Sequence, residues 1–432
     1  MKQFLVVILL ATLTSLYIFP FETVWMPMVN TKMALAAVAL ILLILNVAKT
    51  RSAQMNKSIF FLSLSAFVVS MAGIISVVLN NTHDYVYASY FVKMWVWLGG
   101  AYVVVKSIEY VYGKVNVRLV GNFLILVAVV QCILAQLINI YEPLANFVDT
   151  FMVSTGYMGK VENRLYGIGC ALDVAGIKFC AILIITAFFS INPQSKSRAN
   201  IERGLYLLAF LIITLFGSMI SRTTMWGIVL SIFLWIYVFI YYPKGSENKL
   251  NLIQTLKLFA VFLLVLMPFF LYYYRQEGLF YENFRFGFEG FVSLVEDGEW
   301  DVKSNRQLLS MVVWPDNLKT WLIGDGYFEN PMNDYYYAGK AYYYYMGTDV
   351  GYCRFIFYFG AVGLLSFSIF MFVSAFICSK NNSRYAIVFW LILLMNFIVW
   401  IKVSSDVFSV FALFLWLSAE SQVTEIEVNT ED

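Results

Sequence analysis

Charge is what this chain lacks. Only 13% of its 432 residues are Asp, Glu, Lys or Arg, while 61% are hydrophobic. A soluble domain carries about 25% charged residues to cover its surface, so a water-soluble globular protein is excluded. Histidine is nearly absent, His83 being the only one. The five cysteines (Cys132, Cys170, Cys180, Cys353, Cys378) lie scattered in or beside apolar runs, with no CxxC pair. They read as small buried hydrophobes, not as a disulfide framework or a metal site. No metal and no cofactor are expected. The net charge of +2 gives no reason to invoke nucleic acid. There is no repeat at a fixed period, and there are no inverted halves with matching broken helices, the pattern of many secondary transporters.

Long apolar runs fill the space that charge leaves, and mean hydropathy is +0.74. Many are about 17–25 residues long, the length that crosses a hydrocarbon core. They are continuously apolar and do not alternate, which excludes a β-barrel. Backbone polar groups in lipid must be satisfied internally, so the spans are helices. The expectation is an all-α polytopic membrane protein with about twelve transmembrane helices. The spans are expected near 3–20, 33–48, 58–79, 88–106, 119–140, 168–190, 204–221, 224–242, 258–274, 350–378, 385–401 and 404–420. Met1–Phe19 has a basic start and a long apolar run with no small-residue cleavage site after it, so it reads as a first span.

The linkers alternate in charge. One set carries Lys49, Arg51 and Lys57; Lys106, Lys114 and Arg118; Lys196, Arg198 and Arg203; Lys244, Lys249 and Lys257; and Lys380 and Arg384. The other short linkers, "FETVWMPMVNTK", "NNTHDYVY", the turn at Arg222 and "KVSS", are nearly free of basic residues. The positive-inside rule puts the first set, and with it both termini, in the cytoplasm. The chain then divides into helices one to nine (1–274), a large outer loop of short helices (275–349), helices ten to twelve (350–420) and an acidic tail (421–432). A second outer loop covers 141–167. Long loops that are not disordered tend to carry function.

Arg222 sits in the near-absent turn of "LFGSMISRTTMWGIVL" and breaks the charge bias of the outer turns. A charge so close to lipid is expensive. Either it snorkels to headgroups, or it holds an anion at the outer edge of the membrane. Arg354, Asp173, Lys178 and Asp406 lie in or near spans and demand partners in the same way, while Lys93 reads as a snorkelling lysine. The run "DYYYAGKAYYYY" (334–345) suits either an interfacial belt or a platform for sugar rings. Gly324 and Gly326 in "IGDGYF" set a tight turn and offer backbone N–H groups to an anion.

Three stretches together resemble one family: the arginine of "SMISRTTMWG", the loop segment "SNRQLLSMVVWPDNLKTWLIGDGYF" (304–328), and "TDVGYCRFIFYFGAVGLL" (348–365) with its Gly-x-x-Gly pair. This layout resembles the O-antigen polymerase and O-antigen ligase superfamily of integral-membrane glycosyltransferases. The resemblance implies a bacterial inner-membrane enzyme that polymerises undecaprenyl-diphosphate-linked oligosaccharide repeat units with inversion at the anomeric centre, and a chain-length regulator as a partner. A ligase moving glycan to lipid A core or protein is the alternative within the superfamily, and a flippase for the same lipid-linked unit is the alternative outside it. Arginine's planar, always-charged fork suits the diphosphate leaving group, which gives Arg222, then Arg306, then Arg164 that role. Ligases of this superfamily carry a histidine eleven residues before the first glycine of the Gly-x-x-Gly; here that position is Asp349, counted back from Gly360. Asp349 is placed as a base or an acceptor-orienting group, or as a cap of the helix that begins there. Tyr352 and Arg354 stand beside it as candidate substrate contacts.

Overall fold

The computed structural model describes residues 2–50, 56–153, 164–276, 278–331 and 344–417. The acidic tail and most of the tyrosine run lie outside the described residues. In chain order the first helices are α1 (Lys2–Ile18), α2 (Thr31–Thr50), α3 (Lys57–Asn80), α4 (Tyr90–Tyr112), α5 (Val117–Ile140) and α6 (Glu142–Phe151). They are followed by α7 (Leu172–Ile191), α8 (Ala199–Ile212), α9 (Ser218–Ile220), α10 (Met225–Tyr241), α11 (Glu247–Tyr274), α12 (Leu279–Gly287) and α13 (Glu289–Glu296). The last are α14 (Lys303–Ser310), α15 (Leu318–Ile323), α16 (Gly351–Asn381), α17 (Ala386–Val399) and α18 (Phe408–Leu415). A small antiparallel hairpin, β1 (Glu22–Thr23) with β2 (Met26–Asn30), stands where a plain linker was expected; Glu22 pairs with Asn30 and Thr23 with Met26.

Among the described residues, nine helices are long and apolar enough to cross a membrane, so the chain is a mainly helical polytopic membrane protein. The helices at the first, eleventh and twelfth expected spans are shorter, with 17, 14 and 8 residues. At about 1.5 Å per residue, α18 is too short to cross alone. It starts late because Asp406 Oδ1 accepts the Phe408 N–H at 2.9 Å, closing a turn before the helix. In contrast, α11 begins eleven residues earlier than its expected span. Its first turns are amphipathic and bury Leu252 and Thr255.

The chain forms two compact units, Met1–Ala34 with Val104–Asp301, and Leu35–Val103 with Val302–Asp432. The large loop is therefore not one body: α12 and α13 belong to the first unit, α14 and α15 to the second. In the first unit, α7 is the hub, packed against α5, α8, α10 and α11. Every residue from Ala175 to Ile191 is buried, so protein surrounds this helix on all sides. Close approach depends on small residues: a Cβ on Gly227 of α10 would stand 2.5 Å from Cys180 Cα of α7. Asn192 and Pro193 then end α7, since proline disfavours helix in the residue before it.

In the second unit the hub is α16, packed against α3, α15, α17 and α18. It is broken at Phe359 and Gly360, where Gly360 takes φ +66°. The break frees carbonyls, and those of Phe357 and Tyr358 are met from outside the helix. Asp325 N–H donates to Phe357 O at 2.6 Å and Gly326 N–H to Tyr358 O at 3.1 Å. Ser76 Oγ adds a 2.7 Å bond to Tyr358 O. The end of α15 thus plugs the break, with a Cβ on Gly360 falling 2.2 Å from Leu322 C and one on Gly324 falling 2.5 Å from Tyr358 C. Elsewhere the outer faces are bare hydrocarbon. Residues 40–45 of α2 and 263–267 of α11 are consecutive exposed Leu, Ile, Val and Met, far more contiguous apolar surface than water tolerates.

Gly360→Ala is expected to cost about 3 kcal/mol or more, from left-handed strain plus a backbone clash. Gly245→Ala, with φ +88° and open space around it, is expected to cost only about 1 kcal/mol. Thermal unfolding of the two purified variants measures the contrast; equal losses would mean that the plug at Gly360 is not tightly packed.

Candidate functional site

The turn that carries Arg222 is built from hydroxyls. After α8 the chain winds a π turn over Ile213–Gly217, then α9, one extended residue at Ser221 (φ −152°, ψ 126°) and a 3-10 turn over Arg222–Thr224. Single π turns inside helices often mark functional sites. Ser221 Oγ accepts from Thr223 N–H at 3.3 Å and donates to Asp173 Oδ1 at 2.8 Å. Thr223 Oγ1 donates to the same oxygen at 2.5 Å, and Thr224 Oγ1 reaches back to Gly217 O at 3.0 Å. Asp173, in the first turn of α7, thus anchors the hairpin through two hydroxyls.

Arg222 itself reaches the loop. Its Nε donates to Phe286 O at 2.7 Å, its Nη1 lies 2.8 Å from Glu289 Oε2, and its guanidinium sits 4.2 Å from the Phe286 ring centre. The Arg222 and Glu289 side chains are each 17% exposed. The Arg164 guanidinium lies over the same ring at 4.5 Å. Leu165 N–H, bonded to Met219 O at 3.2 Å, brings it there. Among the described residues Arg164 has no ion-pair partner, and its buried Nε has no hydrogen-bond acceptor. The cluster therefore presents two guanidiniums against one aromatic ring, and among the described residues only Arg222 is ion-paired with a carboxylate. Charge-assisted N–H donors in this arrangement suit a phosphate or carboxylate ligand.

The loop is held in place by two contacts. Gly287 seats on α9, a Cβ there falling 2.9 Å from Ser218 C. Farther along, Tyr274 Oη and Tyr281 Oη both donate to Glu296 Oε1, at 2.7 and 3.0 Å, while Arg285 Nη2 lies 3.3 Å from Oε2. The Tyr274 bond foremost, then the Tyr281 bond and the Arg285 charge, hold the Glu296 carboxyl below the usual carboxylate range, against the upward pull of burial.

The second unit has its own polar cluster, at the start of α16. Arg354 is 7% exposed and lies between two rings, 3.6 Å from the Phe328 centroid and 3.8 Å from that of Tyr344. Its Nη1 donates to Ser404 Oγ at 2.9 Å and lies 3.9 Å from Asp349 Oδ1; Nη2 donates to Phe328 O at 3.3 Å. Asp349 thus supplies the carboxylate that Arg354 demands, and it is 35% exposed. The helix cap is Val350 without a side-chain bond, and it is Thr348 Oγ1 that accepts the Val350 N–H.

Some expected contacts have other uses. The N–H groups of Gly324, Asp325 and Gly326 go to Thr320 O, Phe357 O and Tyr358 O, so the Gly-x-Gly turn closes the break in α16 and does not present these groups to an anion. Tyr352 Oη donates to Phe397 O at 2.9 Å and packs on Trp400, tying α16 to α17. Arg306 lies within α14 and is exposed. The structure brings Arg164 and Arg222 together in one unit, and Asp349 and Arg354 together in the other.

Sequence reasoning missed Phe286 and Glu289, which nothing in "RFGFEG" links to residue 222. It also missed the loop after α3. There Asp84 Oδ2 accepts from Phe328 N–H at 2.8 Å and Glu329 N–H at 3.1 Å, and Thr82 Oγ1 donates to Gly326 O at 2.8 Å. Burial, then the Asp325 carboxylate it bonds at 3.4 Å, pushes the Tyr345 phenol up to about 12, so it stays a donor at neutral pH. No group of three or more His, Cys, Asp or Glu among the described residues is placed to hold a metal. No family model, no curated protein and no solved structure matches the chain.

The Glu296 clasp has a defined pH window. Its folded pKa lies below the ordinary 4.5, so its contribution is full above that value and is lost as pH falls through the lowered folded value. Hydrogen exchange over 278–297, corrected for intrinsic rates, is expected to rise in that acidic range only. Glu296→Gln is expected to show raised exchange already at neutral pH and no acid step; an acid step that survives in the variant would place the titration elsewhere.

Proposed function

We propose that the chain is a membrane glycosyltransferase that polymerises undecaprenyl-diphosphate-linked oligosaccharide repeat units at the periplasmic face of a bacterial inner membrane. The observation that carries this reading is the pair of guanidiniums against Phe286, at the tip of a helical hairpin, with a carboxylate among the described residues ion-paired to only one of them. The charge pattern of the linkers supports an outer position for that tip and cytoplasmic termini.

In this reading Arg222 and Arg164 hold the diphosphate of the donor. The acceptor hydroxyl attacks the anomeric carbon from the face opposite the leaving group. The bond from that carbon to the phosphate oxygen breaks, and the diphosphate departs with the electron pair. Negative charge grows on the leaving oxygen in the transition state, where fixed guanidinium donors are most effective. The Phe286 ring and carbonyl and the Glu289 ion pair fix the Arg222 fork beforehand, so little reorganisation is needed as the charge develops. The acceptor hydroxyl gives its proton to a general base, the role that the resemblance gives Asp349.

The test is the size profile of surface and lipid-linked glycan in a deletion strain complemented with variants at matched protein level. Wild type is expected to restore a ladder. Arg222→Ala is expected to lower chain growth about 100-fold and leave single repeats. Arg222→Lys should restore little, because an ammonium does not reproduce the two-pronged fork. A full ladder with Arg222→Ala would remove the arginine from the mechanism. Long chains stranded on undecaprenyl diphosphate would indicate a ligase instead, and single units trapped on the cytoplasmic side a flippase.

A further inference from the structure

A second basic feature stands apart from the Arg222 tip, within the same unit. The linker after α7, through Pro193, Lys196 and Ser197, and the first turns of α8 and α11 line a polar cavity of about 320 Å³. Its lining includes Lys196, Asn200, Arg203, Glu247, Asn251 and Gln254. Arg203 lines it while being 3% exposed. Arg203 Nη1 donates to Asn200 Oδ1 at 2.8 Å and Nη2 to Asn251 Oδ1 at 2.5 Å, while its buried Nε–H has no acceptor.

Three physical features converge there. A guanidinium held by two neutral amides keeps its full positive charge in the wall of the cavity. The Asn200 and Asn251 amides, whose oxygens hold Arg203, also belong to the lining. Two helices, α8 and α11, begin at the cavity with Ala199, Asn200 and Glu247, and neither start has a side-chain cap bond. Uncapped helix starts offer free N–H groups and a positive dipole end to an anion. Lys196 adds a flexible positive charge and Glu247 the one opposing charge among the lining residues named.

We propose that this cavity binds a phosphate group, held by Arg203, Lys196 and the N–H groups of the two helix starts. The group is supplied either by the headgroup of an acidic phospholipid or by a soluble phosphate compound. The site serves binding or regulation and does not depend on the glycosyltransferase reading.

The experiment uses the full chain in nanodiscs of neutral phosphatidylcholine. One arm titrates phosphatidylglycerol into the discs and counts bound lipid by native mass spectrometry. The other arm titrates inorganic phosphate and pyrophosphate and follows the heat of binding. Three substitutions separate anion binding from fold. Asn251→Asp keeps an oxygen for Arg203 and adds a repelling charge, so it should fold and weaken binding about tenfold or more. Lys196→Gln, on an exposed side chain, should weaken it about threefold, and Glu247→Gln should tighten it about threefold. Saturable lipid binding with this order of variants identifies the headgroup as the source. Saturable binding of phosphate or pyrophosphate with the same order identifies a soluble ligand. Absence of saturable binding in both arms, or binding that ignores Asn251→Asp and Glu247→Gln alike, overturns the proposal.

Discussion

A polar group with no water beside it must be given a partner by the protein itself. That constraint explains more of this structure than any other. It explains why the break in α16 at Phe359 and Gly360 coincides with the Gly-x-Gly turn, whose N–H groups accept no other task. It explains why Asp173 is wrapped by the hydroxyls of Ser221 and Thr223, and why Arg354 lies between two rings with Ser404 and Asp349 in reach. Among the described residues the constraint is incompletely met at the buried Nε atoms of Arg118, Arg164, Arg203 and Arg354.

Much of the fold was legible because lipid imposes a simple code. Apolar run length marks helices, and the continuous runs around 172–191 and 351–381 became the two hub helices. Which helix would be a hub was not legible, since α7 and the lipid-exposed α2 are about equally apolar. Burial here is decided by small residues such as Gly176 and Gly227 meeting neighbours at close range, and a hydropathy window does not register that. The hairpin at residues 22–30 and the early start of α11 were missed for a related reason: neither has a run length that differs from an ordinary linker.

The candidate site was half legible. Arg222 announced itself as a charge in a turn too short to hide it. Its partners Phe286 and Glu289 lie more than sixty residues away in a stretch with no distinguishing pattern. Gly324 and Gly326 show the opposite case. Their pattern was visible, but a Gly-x-Gly turn serves an anion and a broken helix by the same N–H geometry, and only the position of Tyr358 decides between them. Asp84 had no sequence signal, because a carboxylate that pins two backbone N–H groups looks like any other loop aspartate.

The central claim is that Arg222 and Arg164 hold a leaving diphosphate during sugar transfer. The most direct measurement follows chain growth by the purified protein in proteoliposomes supplied with a lipid-linked repeat unit, counting free polyprenyl diphosphate released per unit added. The account predicts a growing ladder with one diphosphate released for each repeat joined, and loss of both together when Arg222 and Arg164 are changed to Gln in a protein that stays folded. Chain growth that proceeds undiminished in that double variant would contradict it.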